Sequence, residues 1–193
     1  MILQLDKLVP GDMIIMLVSS NLFKKSSKSR KVRCEICANY CKIADGAYGI
    51  CKQHKNINGE LFDESFGIVS SLNADPIEKK PLYHFLPGTL TYSVGGFGCN
   101  MGCLHCHNYM ISKEFDKISD RLNILPETSV ENAISQGCKS IAWTYNEPTI
   151  HLPFNKKTSL LGRRKNLKII YVSNGYMSSQ SLSEILEFVD AFN

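Results

Sequence analysis

The chain has 193 residues, 44% of them hydrophobic and 21% charged, with a formal net charge of +4. That composition is ordinary for a globular protein, enough for one good core or two small ones, and it excludes a disordered or fibrous chain as the leading reading. The positive balance is local: Lys24, Lys25, Lys28, Arg30, Lys31 and Arg33 share one acid-free stretch, and without those six of the 22 basic residues the chain carries 16 basic against 18 acidic, an arm rather than a basic groove.

Taken in chain order, residues 1–33 read as a weakly structured lead-in, the basic arm being a solvated linker interleaved with Ser26, Ser27 and Ser29. The early apolar run from Met13 to Val18 is six residues long and follows Asp6 and Asp12, too short and wrongly flanked for a signal peptide. No stretch approaches the roughly 20 apolar residues of a membrane span. Of the eight cysteines, the clustered ones are therefore expected as metal ligands in a reducing, cytoplasmic setting rather than as a secreted disulfide framework.

Residues 34–74 read as a small Cys-rich metal-binding segment with too few apolar residues for a core of its own. Cys34, Cys37, Cys41 and Cys51 supply four thiolates, a closed set that fits structural zinc and an iron–sulfur cluster equally. His54 could replace one of them but is not expected to. From Asp75 to Gly88, Pro76, Pro81 and Pro87 forbid regular helix or central strand, which leaves a structured connection.

Beyond Gly88 the pattern becomes strand, loop, helix. Thr89–Val94 reads as a strand running into glycines and cysteines; a helix follows Pro126 with Gly137 as its stop; Ser140–Tyr145 and Lys168–Ser173 read as two further strands. Ser181 with Glu184 reads as a capping box for a last helix carrying Leu182, Ile185, Leu186 and Val189. His151–Arg164, with Pro153 and many polar and basic residues, reads as a poor helix where one is needed. About three such units imply right-handed parallel βαβ connections, whose ligands gather at the carboxyl ends of the strands. The cysteine loop, Asn146-Glu147-Pro148 and Asn174-Gly175 all fall at that end.

In Gly95-Gly-Phe-Gly-Cys-Asn-Met-Gly-Cys-Leu-His-Cys-His-Asn108, Cys99, Cys103 and Cys106 crowd into eight residues without a fourth partner. A cubane cluster normally takes four thiolates, so three would leave one iron open to a ligand. Alone, Cys103-x-x-Cys106 could equally be a zinc knuckle. Cys138 is expected as a buried hydrophobe, and His84, His107 and His151 as ordinary residues.

The Cys-x3-Cys-x2-Cys loop after the first strand resembles the signature of the radical SAM superfamily. Together with Asp75-Pro-Ile-Glu-Lys-Lys-Pro-Leu-Tyr-His-Phe85, Trp143-Thr-Tyr-Asn-Glu-Pro-Thr149 and Val172-Ser-Asn-Gly-Tyr-Met177, it resembles the pyruvate formate-lyase-activating-enzyme-like proteins, specifically the AmmeMemoRadiSam system enzymes. The resemblance implies an α/β fold for residues 75–193, the N-terminal part of a radical SAM partial (β/α) barrel that reads as cut short after three units. It implies a [4Fe-4S] cluster on Cys99, Cys103 and Cys106, with S-adenosylmethionine chelating the fourth iron and cleaved reductively to a 5′-deoxyadenosyl radical for hydrogen abstraction. Glu147 would accept from the methionine amino group, and Asn146 and Asn174 would lie near the cofactor. His105 stands where the superfamily commonly has a Tyr, Phe or Trp beside the adenine, and could stack there or lie on the loop surface. The implied companions are an electron donor such as ferredoxin or flavodoxin, a protein substrate as in glycyl-radical activation, and Memo-like and AMMECR1-like proteins. The rival expectation is a non-catalytic zinc-binding module whose basic arm binds nucleic acid.

Overall fold

The computed structural model describes residues 16–193 apart from Lys28 and Asp120. The start of the lead-in, including the beginning of the Met13–Val18 run, and Lys28 of the basic arm lie outside the described residues. From Met16 the expected weakly structured segment is strand instead. β1 (Met16–Ser19), β2 (Phe23–Lys25), β3 (Val32–Cys34), β4 (Lys42–Ile43), β5 (His54–Ile57) and β6 (Glu60–Phe66) make two antiparallel sheets, ordered β1-β6-β5 and β2-β3-β4. β6 alternates as a half-buried strand must, turning Leu61, Asp63 and Ser65 inward. Val32, Ile36, Ile43 and Leu61 form a core of their own beneath the cysteines.

The basic arm is the β2–β3 hairpin, and four of its six charges are partnered: Lys24 and Arg33 reach Glu35, Lys25 reaches Glu60, and Arg30 reaches Asp45. Acids outside the run answer most of it and the segment is strand, so the solvated-linker reading fails. The free charge left to the nucleic-acid rival is correspondingly smaller.

β7 (Ile68–Val69) leads into β8 (Ser71–Pro76), β9 (Leu90–Gly95), the short helix α1 (Tyr109–Ser112) and β10 (Leu122–Asn123), which pairs back on β7. α2 (Pro126–Ser135), β11 (Ser140–Trp143), α3 (Leu152–Arg164), β12 (Lys168–Tyr171), α4 (Ser179–Ile185) and β13 (Ala191–Phe192) complete the order. The main sheet runs β13-β12-β11-β9-β8, with the first four parallel and β8 antiparallel. The three strands expected from the sequence are present, and the sheet gains one on either side: β13 from the last residues, and β8 across the outer edge of β9. The proline-rich connection ends β8, makes a 3-10 turn at Ile77–Lys79 and lays Ile77, Leu82, Phe85 and Leu86 over Ala142 and Ile170.

On the other face Tyr92, Val94, Ile141, Trp143, Ile169 and Tyr171 pack against Val130, Ala133, Phe154, Ile185 and Phe188. The reputedly poor helix is α3, 13 residues long. Pro153 sits in its first turn, where a missing N–H costs nothing. Its polar residues serve the interior: Trp143 Nε1 donates to Ser159 Oγ at 2.9 Å, and Asn155 Nδ2 to the Pro148 carbonyl at 2.9 Å. Gly162 lets the helix close on the sheet, since a Cβ there would stand 3.2 Å from Ile141 Cδ1. The cap of α4 is Ser178, whose side chain accepts from Ser181 N, rather than a box of Ser181 with Glu184.

Candidate functional site

β9 ends at Gly95, and the cysteine loop leaves from the carboxyl end of the parallel strands. Cys99, Cys103 and Cys106 are all free thiols, Cys103 exposed and the other two partly buried. The base of the loop is fixed by Asn146. Gly96 N donates to Asn146 Oδ1 at 3.1 Å, which identifies the other end of that amide as the NH2 group. It donates to the Gly98 carbonyl at 2.7 Å and to His151 Nε2 at 3.1 Å. His151 therefore carries its proton on Nδ1 and donates to Ser65 Oγ at 2.9 Å, and Ser65 in turn donates to Asp63 Oδ1 at 2.5 Å. Burial pushes His151 down to about 4 and raises Asp63 above the usual carboxylate range, so a neutral imidazole sits between the loop and β6. Asn146, expected at the cofactor, is instead a buried clamp on the cysteine loop.

Glu147 is only 2% exposed. Its Oε1 accepts from Thr149 N at 3.0 Å, Thr149 Oγ1 at 2.5 Å and Ser173 Oγ at 2.9 Å, and its Oε2 accepts from Ser173 Oγ at 3.0 Å and Asn174 N at 2.8 Å. It caps the 3-10 turn Pro148–His151 and ties the end of β11 to the end of β12. Asn174 is exposed; its Nδ2 donates to Asn100 Oδ1 at 2.9 Å and its Oδ1 accepts from Tyr176 N. Asn100, between two of the cysteines, is thus joined to the third strand's loop, and its Nδ2 donates to the Tyr176 carbonyl at 3.2 Å.

Tyr145 adopts φ +74, a left-handed conformation rare for a bulky residue. Asn108 Nδ2 holds its carbonyl at 2.7 Å, and its hydroxyl donates to Asp75 Oδ2 at 2.9 Å. Asp75 also accepts from Lys80, Lys79 and Ser93, and these partners hold its carboxyl well below the usual range against the opposing effect of burial. Asn100, Asn108, Tyr145, Asp75 and Lys80 were not singled out from the sequence as site residues. The dense Asn content of the loop ends was the available signal, since a short amide can satisfy backbone groups that loops leave open.

His105 lies exposed between Cys103 and Cys106, and His84 and His107 are exposed as well. Cys138 is buried in the helix-side core, the small hydrophobe it was expected to be. Among the described residues no three His, Cys, Asp or Glu side chains close on a single metal ion. The fit to a cluster rests on donor chemistry: three thiols outside any disulfide, on one glycine-lined loop, supply one ligand fewer than a cubane takes.

Three loops, from β9, β11 and β12, thus meet at one end of a parallel sheet around those thiols. The sequence from residue 93 to residue 193, just over half of the chain, matches the family model of the radical SAM superfamily. The chain belongs to the radical SAM superfamily. Its members typically bind a [4Fe-4S] cluster and S-adenosylmethionine, and the matched segment contains all three loop cysteines. The chain is also 42% identical over 173 residues to an uncharacterized protein of Methanocaldococcus jannaschii; the match covers 89% of the chain and 51% of that relative. The chain therefore spans about half the length of the curated relative it matches. As a radical SAM chain it has, among its described residues, no helix long and apolar enough to cross a membrane.

Proposed function

We propose that this chain carries the cluster-binding part of a cytoplasmic enzyme that cleaves S-adenosylmethionine reductively. Cys99, Cys103 and Cys106 would hold the [4Fe-4S] cluster. Bound there, cluster and cofactor supply the hard step, an electron into the sulfonium that yields methionine and a 5′-deoxyadenosyl radical for hydrogen abstraction. The observation that carries the reading is the placement of three free thiols on one loop at the carboxyl ends of β9, β11 and β12.

The chain's own residues orient that loop. Asn146 fixes the turn ahead of Cys99, Glu147 joins the β11 and β12 ends, and Asn174 presents an exposed side chain beside Asn100. Glu147 meets four donors in the folded chain, so contact with the cofactor's amino group would require it to release some of them. His105, exposed in the loop, would meet an adenine from the solvent side. The finer affiliation is with the pyruvate formate-lyase-activating-enzyme-like, AmmeMemoRadiSam proteins. It brings as partners a flavodoxin or ferredoxin donor, a protein substrate, and Memo-like and AMMECR1-like companions.

Anaerobic reconstitution with iron and sulfide, reduction, and chromatography for 5′-deoxyadenosine test this reading. Protein that holds and reduces the cluster yet forms no 5′-deoxyadenosine from S-adenosylmethionine rejects it.

A further inference from the structure

The proposed function uses three of the eight cysteines and leaves four others gathered in one place. Cys34 ends β3, Cys37 and Cys41 lie in the turn that follows, and Cys51 lies in the turn before β5. Cys34 N donates to the Cys41 carbonyl at 2.9 Å, and Tyr40 N to the Cys37 carbonyl at 3.1 Å. Tyr40 and Lys52 take left-handed φ values of 44 and 58 beside Cys41 and Cys51. The second turn packs on the first: a Cβ at Gly49 would stand 3.7 Å from Cys41 Sγ. Every pair among the four sulfurs lies within electrostatic reach, and all four are free. They converge without closing on one ion as they stand.

The backbone around them is set for thiolates. The amide of Ile36 is directed at Cys34, that of Asn39 at Cys37, and those of Gln53 and His54 at Cys51; the Asn100 side chain is also directed at Cys37. A neutral thiol is a weak acceptor and gains little from such donors, whereas a thiolate gains much. Four thiolates gathered this closely need a cation among them.

We propose that Cys34, Cys37, Cys41 and Cys51 form a closed tetrathiolate centre for a thiophilic metal, zinc or the iron of an iron–sulfur cluster, and that this centre fixes the residues on either side of Cys99. Each thiol gives its proton to solvent as its sulfur–metal bond forms, and no electron is transferred. The link to the loop is direct. A Cβ on Gly98 would stand 2.4 Å from the Cys51 carbonyl oxygen, so the backbones of the two cysteine groups touch there. On the other side of Cys99, Asn39 Nδ2 donates to the Asn100 carbonyl at 2.8 Å, and Cys37 forms a β-bridge with Met177 just beyond Asn174. Metal at the four sulfurs holds Gly98 and Asn100 from both flanks. The metal assignment stands apart from the proposed function; only the coupling to Cys99 rests on it.

The test begins with the variant Cys99→Ala/Cys103→Ala/Cys106→Ala, prepared anaerobically from cells supplied with both zinc and iron. It should retain either about one zinc per chain or iron with matching sulfide, and lose it when Cys37→Ser and Cys51→Ser are added. Absence of both metals from the triple variant, pairing of the four cysteines as disulfides, or metal that survives the added substitutions overturns the site. For the coupling, Asn39→Ala removes the bond to Asn100; because that side chain is also directed at Cys37, the comparison is made in protein that keeps its tetrathiolate metal. In reconstituted protein it should speed loss of loop iron to a chelator roughly tenfold, in line with the 10–100-fold effects of outer-shell changes on metal sites. An unchanged rate overturns the coupling. Protein that never takes up iron at Cys99, Cys103 and Cys106 while keeping the tetrathiolate metal refutes the proposed function and leaves the metal site standing.

Discussion

The Gly96 backbone lies flat against the imidazole of His151, so closely that a Cβ on the glycine would stand 2.3 Å from Nε2. Neither partner has room to yield, because His151 is held at both ring nitrogens. Gly96→Ala should cost about 1–3 kcal/mol, the range for overpacking a tight interior. Urea unfolding measures it, and an unchanged midpoint would show that the ring moves aside freely.

Asn146 presents two donor contacts and one acceptor contact to its surroundings, and a carboxylate can serve only the Gly96 amide. Asn146→Asp should therefore be worse than the loss of one hydrogen bond. It sets a negative charge against the Gly98 carbonyl and His151 Nε2, each at about 1–3 kcal/mol for a buried group left without its partner. Thermal unfolding of Asn146→Asp beside Asn146→Ala separates this repulsion from simple loss of the amide. Equal melting temperatures would contradict the donor assignment.

For Glu147 the two roles give opposite readouts in metal-free protein. As a brace between β11 and β12, Glu147→Gln should destabilise the chain by about 1.5–3 kcal/mol, the worth of hydrogen bonds to a charged group. As a cofactor contact alone, it would leave stability untouched and weaken only S-adenosylmethionine binding. Denaturant midpoints of the two proteins decide between them.

Burial sets a pH dependence. His151 is pushed from 6.5 down to about 4, so below pH 6.5 the unfolded chain takes up a proton that the folded chain refuses. Stability should fall as pH drops from 6.5 toward 4, by about 1.4 kcal/mol per pH unit for one such group. His54, also buried to about 4, adds in the same sense. Asp63, raised by burial, acts oppositely, because its protonation on the way down relieves the folded state. His151→Phe should make the loss with falling pH shallower by about 1.4 kcal/mol per unit; matching slopes would remove His151 as the cause.

Cysteine substitutions should divide cleanly. Cys138→Ala should lower stability by about 1 kcal/mol, a small buried atom lost, with iron uptake unchanged. Cys103→Ala should leave stability of the metal-free chain unchanged, since that side chain is exposed, and abolish stable iron binding at the loop, leaving only such iron as the other four cysteines hold. Iron analysis after reconstitution reads both.

The three strands β9, β11 and β12 were legible because they are apolar runs with β-branched and aromatic residues, and the meeting of three loops at one sheet end followed from their order alone. α3 was illegible for a physical reason: its inward face uses Asn155, Thr158, Ser159 and Gly162 in place of apolar residues. Hydrophobic periodicity cannot report a face that packs through hydrogen bonds and close approach. The basic arm misled similarly, since Glu60 and Asp45 lie well outside the run and only folding of the strands brings them near. Asn146 and Glu147 were rightly located at the end of β11, but the direction of a side chain at a loop end, toward ligand or toward backbone, is set by tertiary neighbours.

The bonds from Asn146 through His151 and Ser65 to Asp63 all donate in one sense. No member can turn over alone without setting donor against donor or acceptor against acceptor, so the row behaves as a single latch across the junction of β6 with the cysteine loop. Deuterium should accordingly enter at the Gly96 and Ser65 amides together, as one opening event, even though 31 positions separate them in the chain.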